Sequence, residues 1–211
     1  MNQLEIERLI SELILKGVLK SKSIEQSLRA VDRIDFVPKK LSSLAYEDES
    51  LSIGHGQTIS QPYTVVFMLE LLEVKEGQRV MDVGYGSGWQ TALLSYIVGV
   101  HGHVYAFEII EALCRFGKNN IEKYPALAKR ISFFCKSADT ELTDCGIGPL
   151  DRIIVAADVK RVPSSWRDSL VVGGVMMYPH EGSIYKEIKN PDGTFTKSEF
   201  YGFVFVPFVQ D

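Results

Sequence analysis

A chain of 211 residues is long enough to bury one sizeable hydrophobic core, or one core with an appended element. Its hydrophobic fraction of 45% and charged fraction of 24% are those of an ordinary soluble globular protein. The formal net charge of −4 argues against a nucleic-acid-binding protein, because phosphate neutralisation favours a basic face.

The first sixty residues are predicted to be helical and then irregular. Apolar residues recur at helical spacing over residues 3–16, which predicts an amphipathic helix that ends near Gly17. A second helix is predicted from Ser23, as its N-cap, to about Asp32. Residues 34–60 show little periodicity, so they predict a loop region that is long for a compact domain, and such loops are often functional.

Strands and helices alternate after this loop region. The strands are almost continuously apolar, and this alternation predicts a parallel sheet covered on both faces by helices. In chain order the predicted elements are a helix over 63–73, a strand over 79–83, a helix over 88–98, a strand over 103–107, a helix over 110–123, strands over 131–135 and 151–156, a short helix from Pro163, and a strand over 171–178.

Two extended segments close the chain. They lie at about 183–189 and 199–206 and are separated by Pro191-Asp192-Gly193, a good turn sequence, so they predict an antiparallel hairpin. No internal repeat, low-complexity tract or interdomain linker is visible. The predicted organisation is one α/β domain, residues 1–211, with N-terminal helices and a loop in residues 1–60 and a sheet core in residues 61–211.

Three cysteines, Cys114, Cys135 and Cys145, are an odd number and show no Cys-x-x-Cys spacing. They are interpreted as reduced residues rather than as a disulfide or zinc framework. The N-terminal residues lack the basic and apolar regions of a secretory signal, and no apolar run approaches the length of a membrane span. We therefore expect a cytoplasmic monomer with no metal ion and with neither nucleic acid nor membrane among its partners.

A glycine-rich turn joins the strand over 79–83 to the next helix. Residues Asp82 to Gly88 read Asp-Val-Gly-Tyr-Gly-Ser-Gly, which is neither the G-x-G-x-x-G of dinucleotide-binding folds nor a P-loop. Such glycines let a ligand approach main-chain N–H groups. The Asp82 carboxylate suits a ligand with an amino-acid end, because it can take up an ammonium group directly or through water. The alternative is a turn that only shortens the connection.

Further acidic residues follow the neighbouring strands. Glu108 ends the strand over 103–107, where a carboxylate can accept hydrogen bonds from the two hydroxyls of a ribose. Asp139 follows the strand over 131–135 and could contact an adenine amine, although an exposed loop aspartate is the alternative. Several carboxylates at one sheet edge suit the sulfonium of S-adenosylmethionine better than the two phosphates of NAD.

One stretch of the loop region is specific to a known family. Residues 53–63, Ile-Gly-His-Gly-Gln-Thr-Ile-Ser-Gln-Pro-Tyr, together with Phe36-Val37-Pro38, the turn Asp82 to Gly88 and the segment 149–157, resemble the protein-L-isoaspartate O-methyltransferase family. The resemblance covers nearly the whole chain. It implies a class I S-adenosylmethionine-dependent methyltransferase fold: a Rossmann-like, mostly parallel α/β sheet with a C-terminal antiparallel hairpin and an N-terminal helical extension.

The resemblance also implies a reaction and a set of site residues. A methyl group passes from S-adenosylmethionine to the α-carboxylate of an L-isoaspartyl residue in a damaged protein or peptide, leaving S-adenosylhomocysteine. The methyl ester then re-forms a succinimide, part of which opens to normal aspartate. The implied cofactor-binding residues are Gln57, Thr58, Ile59, Asp82, Gly84, Tyr85, Gly86, Gly88, Glu108, Ile109, Ala138 and Asp139; the implied substrate-binding residues are Ile53, Gly54 and Ser60, with Ser60 as the catalytic residue.

This chemistry asks for few catalytic groups. A carboxylate with a pKa near 3.5 is already ionised at pH 7, so no general base is needed. The protein must then place an oxygen of this carboxylate in line with the methyl group of the sulfonium. We expect the Ser60 hydroxyl to hold the substrate carboxylate or to border the transferred methyl; alternatively, Ser60 caps the helix that begins at Pro62.

The match to the family is imperfect at three places, one of which lies near Ser183, where a glutamine that the family often carries is replaced. Ala138-Asp139-Thr140 replaces the usual Gly-Asp-Gly, and Tyr178-Pro179-His180-Glu181 replaces the usual Pro-Val-Gly. These departures leave two alternatives open. One is a related methyltransferase that acts on another peptide aspartate, and the other is a non-catalytic module that binds nucleotide or peptide.

Overall fold

The computed structural model describes residues 3–139 and 142–208. Its helices are α1 (Gln3–Leu15), α2 (Lys22–Ala30), α3 (Pro62–Leu72), α4 (Trp89–Ile97), α5 (Glu111–Ile121), α6 (Pro125–Ala128) and α7 (Ser164–Ser169). Its strands are β1 (Leu51–Gly54), β2 (Gln57–Ile59), β3 (Arg79–Val83), β4 (His103–Glu108), β5 (Ile131–Cys135), β6 (Leu150–Val155), β7 (Leu170–His180), β8 (Ser183–Lys189) and β9 (Phe195–Tyr201).

Seven strands form one sheet in the order β5-β4-β3-β6-β7-β8-β9. The pairs from β5 to β7 are parallel, whereas β7–β8 and β8–β9 are antiparallel. The predicted fold class, an α/β sheet with a C-terminal antiparallel hairpin, is therefore confirmed. Because the parallel strands all run the same way, the carboxyl ends of β3, β4, β5 and β6 share one edge of the sheet.

Apolar side chains are buried on both faces of this sheet. The larger hydrophobic cluster packs helices α1, α2, α3 and α4 on one face of the sheet. A smaller cluster around Met81, Ile153 and Trp166 covers the other face. Helix α4 buries Ala92 and Leu93 completely, as expected for a helix between the sheet and the N-terminal helices. The N-terminal helices therefore belong to the same core as the sheet, although the prediction of a single domain over 1–211 remains a prediction.

The loop region contains more structure than its sequence predicts. Two 3₁₀ helices, Arg33–Phe36 and Lys39–Leu44, precede a separate two-stranded hairpin of β1 and β2. Strands of four and three residues are too short to show the alternation by which a strand is recognised. The N-cap of α2 is Ser21 rather than the predicted Ser23, and the Ser21 hydroxyl donates to Glu70 at 2.6 Å instead of capping the helix.

The last strand lies four residues earlier than its apolar pattern indicates. The predicted strand was 199–206, whereas β9 covers Phe195–Tyr201 and pairs with β8 immediately after the turn. Its middle residues are polar and exposed because β9 is the edge of the sheet. The apolar residues 202–206 follow β9 in the chain and are not part of the sheet.

Two of the cysteines form a disulfide, so the prediction of three reduced cysteines is wrong. Cys114 in α5 and Cys135 at the end of β5 are bonded, with their Cα atoms 5.7 Å apart, and Cys145 is free. The odd count and the spacing did not reveal this pair, because α5 packs beside β5 only after the chain has folded. The bond ties the helix that follows β4 to the neighbouring strand.

In the described part of the chain, every helix is too short or too polar to cross a membrane.

Reduction of the Cys114–Cys135 disulfide is expected to lower the stability of the protein. The bond closes a loop with a sequence separation of 21. A loop of about this length contributes about 3 kcal/mol to the free energy of unfolding, chiefly by restricting the unfolded chain. The melting temperature should fall by about 6 to 12 °C when dithiothreitol is added.

Two variants make this test specific. Cys145→Ser should melt like wild type and respond equally to the reductant, because Cys145 is free. Cys135→Ser should melt at the temperature of the reduced wild type and ignore the reductant. Identical melting of all three proteins, with and without dithiothreitol, would contradict the prediction.

Candidate active site

A cavity of about 830 Å³ opens at the carboxyl ends of the central strands. This volume is typical of a small-molecule site. Six segments contribute to its lining: the end of β3 and the turn after it (83–87), the end of β4 and the residues after it (107–110), residues 136–138 after β5, residues 156–157 after β6, and two segments from outside the central sheet, 57–61 and 201–208. The sheet edge predicted from the carboxylates is thus the edge that carries the cavity.

The glycine turn provides one wall of this cavity. Gly84 and Gly86 line it, with φ angles of +81° and +47°. Gly88 does not line it; a Cβ there would lie 2.8 Å from the Ile121 side chain and 2.9 Å from the Gly117 carbonyl oxygen. The first two glycines therefore open the turn to a ligand, whereas the third allows α4 to pack against α5.

A glycine of helix α5 supports the turn from behind. A Cβ on Gly117 would lie 2.4 Å from the carbonyl oxygen of Gly86 and 2.9 Å from the Tyr85 ring. No real Cβ can approach a carbonyl oxygen so closely, so only glycine fits here. Sequence reasoning missed Gly117, because a glycine within a helix has no partner along the chain to reveal what it contacts.

Glu108 connects the turn to the end of β4. One carboxylate oxygen accepts a hydrogen bond from the Gly86 N–H at 3.0 Å, and the other accepts bonds from Ile109 and Ile110, both at 2.9 Å. The side chain is almost completely buried but lines the cavity. A carboxylate can accept about four hydrogen bonds, so acceptor capacity remains for a ligand with two hydroxyls.

Asp82 lies behind the cavity wall. Its carboxylate is fully buried and accepts hydrogen bonds from Gln90 Nε2 at 2.8 Å and Thr91 Oγ1 at 2.6 Å. Gln90 lines the cavity and Asp82 does not. A direct contact between Asp82 and a ligand's ammonium group is therefore disfavoured. Since one N–H of the Gln90 amide is engaged by Asp82, its carbonyl oxygen and its second N–H are the groups left for a ligand.

Burial raises the pKa of Asp82 to about 6, against hydrogen bonds from Thr91 and Gln90 that lower it, while the nearby Glu108 charge raises it further. The carboxylate is thus ionised at pH 7 at a cost in stability. A cationic ligand beside Gln90 would offset this cost.

The segment after β5 contributes backbone rather than its acidic residue. Ala138 lines the cavity, and its carbonyl oxygen is held by the Trp166 indole N–H at 2.9 Å. Asp139 is exposed and does not line the cavity, and its backbone N–H is bonded to Ser137 Oγ at 3.1 Å. Thr140, part of the departure from the family pattern, lies outside the described residues. Of these two residues Ala138 lies on the cavity wall, and the predicted adenine contact of Asp139 stays a prediction.

The β1–β2 hairpin brings most of the family-specific loop to the cavity. Ile53 and residues 57–61 line it, whereas Gly54 at the outer end of β1 is exposed and does not. The Ile53 Cδ1 atom would lie 3.2 Å from a Cβ on Gly86, so the hairpin meets the glycine turn directly. Hairpin and turn thus form one continuous wall.

Ser60 does not cap helix α3. The N-cap of α3 is Gln61, which makes no side-chain cap bond, and the Tyr63 N–H is instead bonded to Asp48 Oδ1 at 2.8 Å. Ser60 lines the cavity, and its hydroxyl makes no hydrogen bond to another residue within 3–139 or 142–208. The capping alternative is therefore wrong, and the hydroxyl can bind a ligand.

The segment 201–208 closes the other side of the cavity. Gly182 O accepts hydrogen bonds from the backbone of Gly202 at 3.1 Å and Phe203 at 3.0 Å, and the Asp158 N–H is bonded to Val206 O at 2.8 Å. The ring of Phe203 stacks on Phe67 at 4.9 Å. Sequence reasoning assigned this segment to a strand. Its apolar residues instead face a site that forms only when the chain folds.

The charged residues on the described cavity wall are Glu108 and Lys136. Several uncharged donors share that wall, among them Ser60, Thr58 and Gln57. No three His, Cys, Asp or Glu side chains within residues 3–139 and 142–208 are grouped as a metal site. The arrangement therefore suits a ligand held by hydroxyls, amides and main-chain N–H groups.

Comparison with known proteins identifies similar sequences over nearly the whole chain. The family model described as protein-L-isoaspartate(D-aspartate) O-methyltransferase matches residues 4–211. A protein-L-isoaspartate O-methyltransferase from Ignicoccus hospitalis is 36% identical, with 96% of this chain and 96% of that protein covered. One of the same description from Methanosarcina mazei is 34% identical over 97% of this chain and 85% of its own length.

Solved structures agree in fold. A crystal structure of a Plasmodium falciparum protein, assigned as a protein-L-isoaspartate O-methyltransferase in complex with S-adenosyl-L-homocysteine, superposes with a TM-score of 0.87, covers all of both chains, and is 24% identical. A second solved structure, described as protein-L-isoaspartate O-methyltransferase, has a TM-score of 0.79 and 26% identity, covering 94% of this chain and 66% of that one.

Asp82→Asn is expected to change how stability depends on pH. The folded pKa of Asp82, about 6, lies above its ordinary value of 3.8, so the wild type loses stability as pH rises through this window. The free energy of unfolding of the variant, relative to that of wild type, should therefore increase by on the order of 3 kcal/mol as the pH is raised from about 4 to about 6.5. Urea unfolding across this range measures the difference.

Asp192→Asn is the matched control. The hydroxyl and N–H of Thr194 lower the pKa of this exposed aspartate, so its variant should show no such gain in the same window. Parallel pH profiles for wild type and Asp82→Asn would show that the buried carboxylate carries no such cost.

Proposed function

Because this chain belongs to the protein-L-isoaspartate(D-aspartate) O-methyltransferase family, we propose that it transfers a methyl group from S-adenosylmethionine to the α-carboxylate of L-isoaspartyl residues in damaged proteins. A carboxylate oxygen forms a bond to the methyl carbon as the sulfur–methyl bond breaks. The products are S-adenosylhomocysteine and a methyl ester. The nitrogen of the following peptide bond then attacks the ester carbonyl carbon and the methoxy group leaves as methanol, so a succinimide forms again; water opens part of it to aspartate.

The observation that carries this proposal is the shared wall of the glycine turn and the family-specific hairpin. Ile53 of the hairpin lies against Gly86 of the turn, and Ser60 lines the same cavity. A cofactor held at the turn would therefore face the hydroxyl groups of the hairpin. Methyl transfer needs this proximity of donor and acceptor, because most of its rate comes from alignment.

The residues on the cofactor side fit S-adenosylmethionine. Glu108 would accept hydrogen bonds from the ribose hydroxyls, and the backbone beside Ala138 would border the adenine. Gly84 and Gly86 leave room for the amino-acid end, with the Gln90 carbonyl oxygen as an acceptor for its ammonium group. When bound, the sulfonium supplies an electrophilic methyl group.

The uncharged substrate side fits a carboxylate nucleophile. The attacking carboxylate loses its charge as the ester forms, so a fixed cation beside it would stabilise the ground state more than the transition state. Hydroxyl donors such as Ser60 and Thr58 can orient the carboxylate with a smaller penalty of this kind. We assign Ser60 as the residue that donates to the substrate carboxylate, because its hydroxyl has no hydrogen-bond partner among the described residues.

The first test pairs two peptides that differ only in carrying L-isoaspartate or L-aspartate at one position. With methyl-labelled S-adenosylmethionine, we expect base-labile label on the isoaspartyl peptide alone. Label on the aspartyl peptide would favour a related carboxyl methyltransferase with another target. Cofactor binding without label on either peptide would favour the non-catalytic module.

Ser60→Ala is expected to lower kcat/KM for the isoaspartyl peptide by about 10- to 100-fold, because one hydrogen bond to a charged group is lost. The dissociation constant of S-adenosylmethionine, measured by calorimetry, should stay within about threefold of wild type. Ser52→Ala is the matched control, since Ser52 is exposed on the same hairpin and does not line the cavity. Equal kcat/KM values for the two variants would remove Ser60 from the proposed mechanism.

Gly117→Ala is expected to weaken S-adenosylmethionine binding by at least about tenfold, because the added methyl pushes the Gly86 carbonyl and disturbs the turn. Calorimetric titration measures the affinity. Lys118→Ala, at the next and exposed position of the same helix, should bind like wild type. Unchanged affinity of Gly117→Ala would mean that the turn tolerates this displacement.

A further inference from the structure

Arg33 is a buried arginine whose hydrogen bonds all go to backbone carbonyl groups. It lies in the first 3₁₀ helix, is 2% exposed, and belongs to none of the cavity-lining segments. Its Nη1 atom donates to the carbonyl oxygens of Ala45 at 2.8 Å and Glu47 at 3.3 Å, and its Nη2 atom donates to those of Glu49 at 2.9 Å and Ser60 at 3.1 Å. One side chain thus holds four points of the loop region.

Two of these carbonyls stand at the two ends of the β1–β2 hairpin. Glu49 precedes β1, Ser60 follows β2, and a single nitrogen of Arg33 donates to both. The hairpin is a two-stranded sheet of its own and gains no support from strand pairing with the main sheet. Because two-stranded hairpins are marginally stable alone, what holds the base of this one decides where its side chains lie.

Burying the Arg33 guanidinium group without an ion-pair partner costs free energy of folding. Burial lowers its pKa to about 10, although the charges of Asp48 and Glu49 raise it. Among the described residues it forms no ion pair within 4 Å, and its Nε atom has no hydrogen-bond partner. The guanidinium group lies 5.2 Å from the centre of the Trp89 ring, whose N–H is also without a partner. An apolar side chain would be buried here at lower cost.

We propose that Arg33 is a positioning residue for methyl transfer, which fixes the base of the hairpin and so places Ser60 and Thr58 against the bound cofactor. Holding the Ser60 carbonyl restrains the peptide plane after that residue and with it the direction in which the Cα–Cβ bond of Ser60 points. The inference rests on the methyl transfer proposed above. It adds a residue that contacts neither cofactor nor substrate.

Arg152 provides a matched control within the chain. It too is a buried arginine whose pKa burial lowers, and it donates to the carbonyl oxygens of Leu72 at 2.7 Å, Asp151 at 2.8 Å and Glu73 at 3.2 Å. None of these four residues lines the cavity. Replacing Arg152 therefore removes the same kind of interaction away from the hairpin.

The experiment compares Arg33→Met, Arg33→Lys, Arg152→Met and Arg152→Lys with wild type. Five quantities are measured for each: kcat and KM for an isoaspartyl peptide, the dissociation constant of S-adenosylmethionine, the melting temperature, and amide hydrogen exchange over residues 50–60. The lysine variants keep a charge that can reach part of the carbonyl set, and they serve if a methionine variant fails to fold.

Arg33→Met should lower kcat by about 100-fold, as expected for a small misplacement of reacting groups. Its cofactor affinity should stay within about threefold of wild type, and Arg33→Lys should recover part of the lost kcat. Exchange over residues 50–60 should become faster in Arg33→Met and stay unchanged in Arg152→Met. At a similar loss of melting temperature, Arg152→Met should keep kcat within about threefold of wild type.

Two outcomes would overturn the inference. One is wild-type kcat in Arg33→Met or, should that variant not fold, in Arg33→Lys. The other is an equal loss of kcat in the Arg33 and Arg152 variants at matched melting temperatures, which would make the effect one of stability alone. If wild type does not methylate the isoaspartyl peptide, the proposed function fails. Faster exchange of the hairpin in the Arg33 variants alone would then still support the positioning of the hairpin.

Discussion

The cofactor side of the cavity depends on the Glu108 carboxylate, which connects the glycine turn to the start of α5. It accepts a hydrogen bond from the Gly86 N–H and two from the N–H groups of Ile109 and Ile110, which directly precede α5. Hydrogen bonds to a charged acceptor are stronger than those between neutral groups, so this carboxylate holds the glycine turn beside α5. Gly117 then lets the turn approach that helix, and Ile53 of the hairpin packs on Gly86 from the other side. One buried carboxylate therefore fixes the glycine turn beside α5, and this turn offers the surface on which the hairpin packs.

The sheet core could be predicted from the sequence, and the periphery could not. Strands β3 and β5 lie at their predicted bounds. In β3 four of the five residues are buried, as expected for a central parallel strand, and β5 is largely apolar although it is an edge strand. The hairpin of β1 and β2 was missed because its strands are too short to show a period. Strand β9 was misplaced because an exposed edge strand is polar, while the apolar run that follows it serves the cavity instead.

Residues of the site were predictable where they follow a strand directly. Glu108, Gly84 and Gly86 line the cavity, since the end of a parallel strand and the turn after it must meet there. Asp82 lies two residues before Gly84, inside β3. Its side chain is therefore buried in the protein interior and does not reach the cavity wall. Gly117 and residues 201–208 carry no local signal, because their contacts are made across the fold. The disulfide between α5 and β5 was not predicted for the same reason, since its two cysteines meet only in the folded chain.

One wall of the cavity is synthesised much later than the rest of it. The groups suited to the cofactor lie between residues 84 and 138, whereas one wall of the opposite side is segment 201–208. Since a growing chain folds from its N-terminal part onward, a ribosome-bound intermediate could assemble the nucleotide turn well before that wall arrives. Translation therefore completes this cavity only after residues 201–208 have emerged, later than the turn that borders it.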